Sequence, residues 1–110
     1  MAGYVHIPWY ATGLRGDRLA DALAQIAPLA LRYGATEYAV HRNRDDRYSM
    51  LQMSAFESKL DWERYWNGPD FIAWRTEYSS FYQVPVLYHW HDRLCFGRLG
   101  ADAANGRDAA

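Results

Sequence analysis

The stretch SKLDWERYWNGPDFIAWR, from Ser58 to Arg75, reads as one amphipathic helix broken in two. Trp62, Tyr65 and Trp66 recur at spacings of three and four, which sets them on one side of a helix until Asn67-Gly68-Pro69 interrupts it. Asn67 or Gly68 can cap a fresh start, and Pro69 suits the first position of the new helix, where the N–H it lacks would find no partner. The second piece carries Phe71, Trp74, Tyr78 and Phe81 or Tyr82 along one stripe. An aromatic stripe this wide needs a surface to bury it.

That surface is read from the flanking segments. Tyr4 to Ala11 is rich in β-forming and aromatic residues and ends at Thr12-Gly13 and Gly16. Asp17 is placed to cap a helix in which Leu19, Leu23, Ile26, Ala30 and Tyr33 repeat at helical spacing until Gly34 stops it, about five turns in all. Pro28 falls inside that run and costs roughly 3 kcal/mol in an ideal helix, so a kink is expected near Ala27. Thr36 to Asn43 and Tyr48 to Glu57 read as two strands joined by the polar hairpin turn RNRDDR, and about Val86 to Phe96 reads as the last strand. The order strand, helix, strand, strand, helix, strand predicts an α+β fold: the ferredoxin-like split βαβ, an antiparallel sheet with both helices on one face. Residues 1–97 are expected to form a single domain, and 98–110, with too few apolar groups to pack, a disordered tail.

Composition narrows the partners. The 110 residues include 12 basic and 13 acidic ones, a formal charge of −1, so neither nucleic acid nor an anionic membrane is an expected partner. No stretch approaches the ~20 apolar residues of a membrane helix, and MAGYVHIPWY lacks the basic start and apolar run of an export signal. With Cys95 as the lone cysteine, no internal disulfide can form, and the cytoplasm is the expected compartment. Aromatic residues make up 16% of the chain, more than one small core needs, which directs attention to a ligand pocket or an interface.

Strand alternation sorts the side chains. The first strand puts Val5, Ile7 and Trp9 on one face and Tyr4, His6, Pro8 and Tyr10 on the other; the last puts Val86, Tyr88 and Trp90 opposite Leu87, His89 and His91. Both faces are semi-apolar, so the face without helices is expected to meet a second copy, sheet against sheet, in a homodimer.

Trp66, Asn67-Gly68, Pro69 and Phe71, together with the element order and size, resemble the dimeric α+β barrel superfamily, and within it the antibiotic-biosynthesis-monooxygenase-like domains. The resemblance covers about Tyr4 to Phe96. It implies an aromatic-lined pocket between helices and sheet and, as the leading activity, a cofactor-independent monooxygenase acting on a small aromatic or polyketide-type molecule. A non-enzymatic ligand-binding or structural homodimer is the alternative, and a histidine-based metal or haem protein ranks behind both. Haem degraders of the superfamily hold iron by a histidine on the second helix; Lys59 to Tyr82 contains none, and Asp70 stands near that place, so the ligation does not carry over.

In the oxygenase reading His89 and His6 are the candidate bases, and Trp62, Trp66, Trp74, Tyr78 and His91 line the substrate pocket. His89 and His91 project from one strand face ~7 Å apart, close enough to share a metal if His6 or His41 supplied a third ligand. Histidines at a dimer interface or in a satisfied core are the commoner outcome for such a pair, and no metal or cofactor is expected. Cys95, without a partner base in view, reads as a small buried hydrophobe.

Overall fold

The computed structural model describes residues 2–100. Strand β1 covers Gly3–Tyr10, helix α1 Gly16–Ile26, strand β2 Ala35–Arg42, strand β3 Ser49–Phe56, helix α2 Lys59–Trp66, helix α3 Pro69–Glu77 and strand β4 His89–Asp92. The strands form one antiparallel sheet in the order β2-β3-β1-β4, the ferredoxin-like arrangement, with the second helix split in two. No helix among the described residues is long and apolar enough to cross a membrane. The tail expected to be disordered, 98–110, lies for the most part outside the described residues.

Local chemistry accounts for the breaks. Ser58 caps α2, its hydroxyl accepting from the Asp61 amide at 3.2 Å, and Gly68 precedes Pro69 at the start of α3. A Cβ on Gly68 would lie 2.3 Å from the Arg64 carbonyl oxygen, so the tight turn between the helices requires glycine. The first helix departs from the five-turn reading: α1 stops at Ile26, and Ala27–Tyr33 winds on as a 3₁₀ segment with Pro28 in its first turn. The tighter segment accommodates the proline where a continuing α-helix would lose a hydrogen bond, and Gly34, at φ 103°, ends it. Asp17 is not the cap of α1, whose cap is Arg15; its carboxylate instead receives Arg42 Nη1 at 2.8 Å, tying α1 to β2.

The last strand is shorter than the Val86 to Phe96 expected, with only His89–Asp92 pairing to β1. Extending the register of Gly3↔Asp92 to His6↔His89 would bring Leu87 opposite Pro8, which has no N–H to donate, and beyond Asp92 the partner strand has ended.

The core lies between the helices and one face of the sheet. Val5, Ile7 and Trp9 of β1 and Met50, Gln52, Ser54 and Phe56 of β3 are buried there beneath Leu19, Leu23 and Ile26 of α1, Trp62 and Tyr65 of α2, and Phe71 and Trp74 of α3. One polar chain crosses it: Trp9 Nε1 donates to Gln52 Oε1 (3.0 Å), Gln52 Nε2 donates to the Tyr65 hydroxyl (3.2 Å), and that hydroxyl donates to the Ile26 carbonyl (2.6 Å). Two strands and two helices are thereby held in register by groups that would be costly to leave unpaired.

Candidate functional site

Trp90 decides where the histidines go. It sits opposite Val5 on the helix-covered face and lies over Gly3, where an added Cβ would be 2.3 Å from its ring. Side chains alternate along a strand, so His89 and His91 must point to the other, open face. His6 joins them from β1, since it pairs with His89 in the register and its neighbour Tyr4 pairs with His91.

The sheet therefore divides the residues expected to share one pocket. Trp62 is fully buried and Trp74 is 5% exposed. Trp62 packs against Phe56, Tyr65, Trp66 and Tyr88 at ring separations of 4.8–5.9 Å, while Trp74 packs against Trp9, Phe71, Tyr78 and Tyr82 at 5.2–6.1 Å. Trp66 is half-buried, with the Arg75 guanidinium stacked 3.8 Å from its ring, and the Tyr78 hydroxyl donates to Gln25 on α1. A pocket uniting His89 and His6 with Trp62, Trp66, Trp74 and Tyr78 between helices and sheet does not form in this fold. The tryptophans fill that space themselves, because burying a large ring against other rings gains more than leaving a cavity.

What the structure brings together is His6 and His91. Their Nδ1 atoms are 2.9 Å apart and their ring centroids 4.7 Å; His89 stands farther off, 6.1 Å from His91 between centroids. At the Nδ1 contact one imidazole donates and the other accepts, which demands complementary tautomers. The pKa of His6 is held below the ordinary 6.5, first because partial burial disfavours the charged ring, then because His91 and His89 are neighbours of like charge.

The pair lines a cavity of about 390 Å³ together with Tyr4, Met53, Arg93 and Leu94. A second cavity of about 480 Å³ adjoins it across Tyr4 and Arg93. Arg93 lies 3.9 Å over the Tyr4 ring and reaches Glu37 on β2 at 3.6 Å, spanning the row that contains the fully buried Ala55. Cys95 is exposed and lines the first cavity, correcting the expectation of a buried thiol, since the chain has left the sheet by that point. Among the described residues, no group of three or more histidine, cysteine, aspartate or glutamate side chains is placed to hold a metal ion. Met53 and Arg93 were not legible as site residues: Met53 reaches His6 through the β1–β3 register, and Arg93 reaches Tyr4 just beyond β4, where the β1–β4 register sets Tyr4 opposite His91.

No protein-family model matches the chain, and neither does any curated protein. Solved structures match the fold closely. One is a protein of Nitrosomonas europaea that bears the name of antibiotic biosynthesis monooxygenase (TM-score 0.76, 12% identity, covering 84% of this chain and 90% of that one). Another is SnoaB, a cofactor-independent oxygenase from Streptomyces nogalater (TM-score 0.74, 14% identity, 86% and 95% covered). A third is a Nitrosomonas europaea protein of unknown function (TM-score 0.74, 18% identity, 88% and 93% covered). The chain thus shares the ferredoxin-like α+β fold of these structures, and at such identities the likeness extends to the fold alone.

Proposed function

We propose that the chain is a monooxygenase-like enzyme of the cofactor-independent kind, acting on a small aromatic or polyketide-type molecule held on the open sheet face against His6 and His91. The observation that carries this reading is the His6–His91 contact of 2.9 Å on the wall of a cavity of about 390 Å³, within the size range of small-molecule sites. An imidazole with a second imidazole behind it can take a proton from an acidic C–H of a phenolic ring system and pass it on. The carbanion then gives one electron to dioxygen, the two radicals join at carbon as a hydroperoxide, and loss of water leaves a ketone. A CH₂ group and O₂ thus become C=O and H₂O, with the substrate as the reductant. The fold shared with SnoaB, a named cofactor-independent oxygenase, supports the assignment.

The same proposal takes the open face to be covered by a second copy of the chain, sheet against sheet, so that the partner closes the cavity against water. Tyr10 and Leu51, 41% and 37% exposed on this face, are the apolar contacts such a dimer would bury, and light scattering should give twice the mass of the chain. With a single cysteine, the cytoplasm remains the proposed compartment.

Oxygen uptake with a panel of hydroxylated naphthalenes and anthrones tests the enzyme reading. Turnover by the native chain and a loss of roughly 100-fold or more in His6→Gln are expected; uptake that is unaffected by His6→Gln would overturn it. Absence of uptake with every compound would favour the second reading, a non-enzymatic ligand-binding or structural homodimer, which the filling of the helix side by its own tryptophans already favours.

A further inference from the structure

Given the cavity beside His6 and His91 as a ligand site, the reading on which this rests, we infer that Arg93 sets the class of molecule received there: an aromatic acid, its carboxylate on the arginine and its ring against Met53 and Leu94. Alternation along β4 continues the open-face series of His89 and His91 to Arg93. The guanidinium carbon lies 3.9 Å from the centre of the Tyr4 ring and 4.2 Å from that of Phe96, so two rings hold the cation by cation–π contact. Glu37 meets its charge at 3.6 Å, beyond hydrogen-bond length, and no hydrogen bond from Arg93 to another described residue accompanies that pair. The cation is thus positioned by stacking while its N–H donors lack a protein acceptor.

A second copy laid over the sheet sharpens the need. The Arg93 side chain is 29% exposed in the single chain, and water serves its donors there. Once the partner excludes that water, the cation requires an acceptor inside the covered space. A carboxylate fits the planar fork with two parallel N–H···O bonds, and a guanidinium already stacked on rings loses little freedom in making them. Arg93 borders both cavities, of about 390 and 480 Å³, so an acid held on it can set its ring in the first, beside His6. Asp92 on the same wall disfavours an anion placed away from the arginine, whereas Arg98, 5.8 Å over the same Phe96 ring, adds positive charge at this edge of the sheet.

The test is calorimetric titration of the full chain with 3-hydroxy-2-naphthoate and with its uncharged amide, at neutral pH and without oxygen, so that binding is read apart from turnover. The parent should bind the acid at least about tenfold more tightly than the amide. Arg93→Gln should remove that preference and leave the affinity for the amide within about twofold, and Arg93→Lys, which keeps the charge without the fork, should retain only part of it. Glu37→Gln removes a rival carboxylate and should tighten the acid by about two- to threefold, whereas a purely structural ion pair predicts no gain. Circular dichroism checks that each variant remains folded. Equal affinity for acid and amide in the parent, or a preference that survives Arg93→Gln, would overturn this inference and leave the ligand site standing; binding of neither compound would overturn both.

Discussion

The two faces of the sheet are built from the same four strands and obey different rules. On the helix side the largest core side chains are committed: Trp9, Trp62, Tyr65 and Phe71 are at most 1% exposed, and the polar atoms of Gln52 and Tyr65 are joined in one chain of hydrogen bonds. On the open side two imidazoles, those of His6 and His91, together with Met53 and Arg93 surround space, and His89 stands farther off. The richest concentration of aromatic residues is therefore the wrong place to seek a site, because aromatic mass builds a core before it builds a pocket. Room and titratable groups meet on the other face, where the proposed site lies.

Substitutions on the two faces should separate these roles. The largest effect is expected from Trp62→Ala, which empties a fully buried position and should cost about 3–5 kcal/mol in denaturant unfolding. Tyr65→Phe comes next: it leaves the Ile26 carbonyl and the Gln52 amide without their partner, at about 1–3 kcal/mol. This residue also carries a pH dependence. Burial raises the Tyr65 pKa above the ordinary 10, so its contribution is fully present below the unfolded-state value and declines as the pH rises above about 10. The stability of the native chain should fall more steeply on the alkaline side than that of Tyr65→Phe; equal alkaline slopes would contradict the burial of this phenol. Ser58→Ala removes the cap of α2 and should cost about 1 kcal/mol. The smallest effect on folding, within about 0.5 kcal/mol, is expected from His91→Ala on the open face, although the same change should abolish the His6 contact. Reversal of the order between Trp62→Ala and His91→Ala would break the contrast between the faces.

Much of this was legible in the sequence. Strand alternation placed Val5, Ile7 and Trp9 opposite His6, and the helix break at Gly68-Pro69 is where Asn-Gly-Pro put it. What periodicity does not encode is which face wins the helices. Trp90 and the pair His89 and His91 compete for the core, and the outcome depends on how Trp90 seats over Gly3, a contact between residues far apart in the chain. The start of β4 was illegible for the same reason, since it depends on a proline in another strand. The union of His6 with His91 needed the β1–β4 register, which the histidine spacing alone cannot supply.

The central claim is that ligands meet the open face and not the tryptophan-filled side. Nuclear magnetic resonance of the ¹⁵N-labelled chain titrated with 2-naphthol tests it most directly, because the five tryptophan indole N–H signals report on the core while the backbone amides of Tyr4, His6, Met53 and His91 report on the cavity. The amide signals should shift with saturation while those of the Trp62 and Trp74 indoles stay in place. Movement of the Trp62 and Trp74 indoles with the cavity amides unchanged would contradict the account.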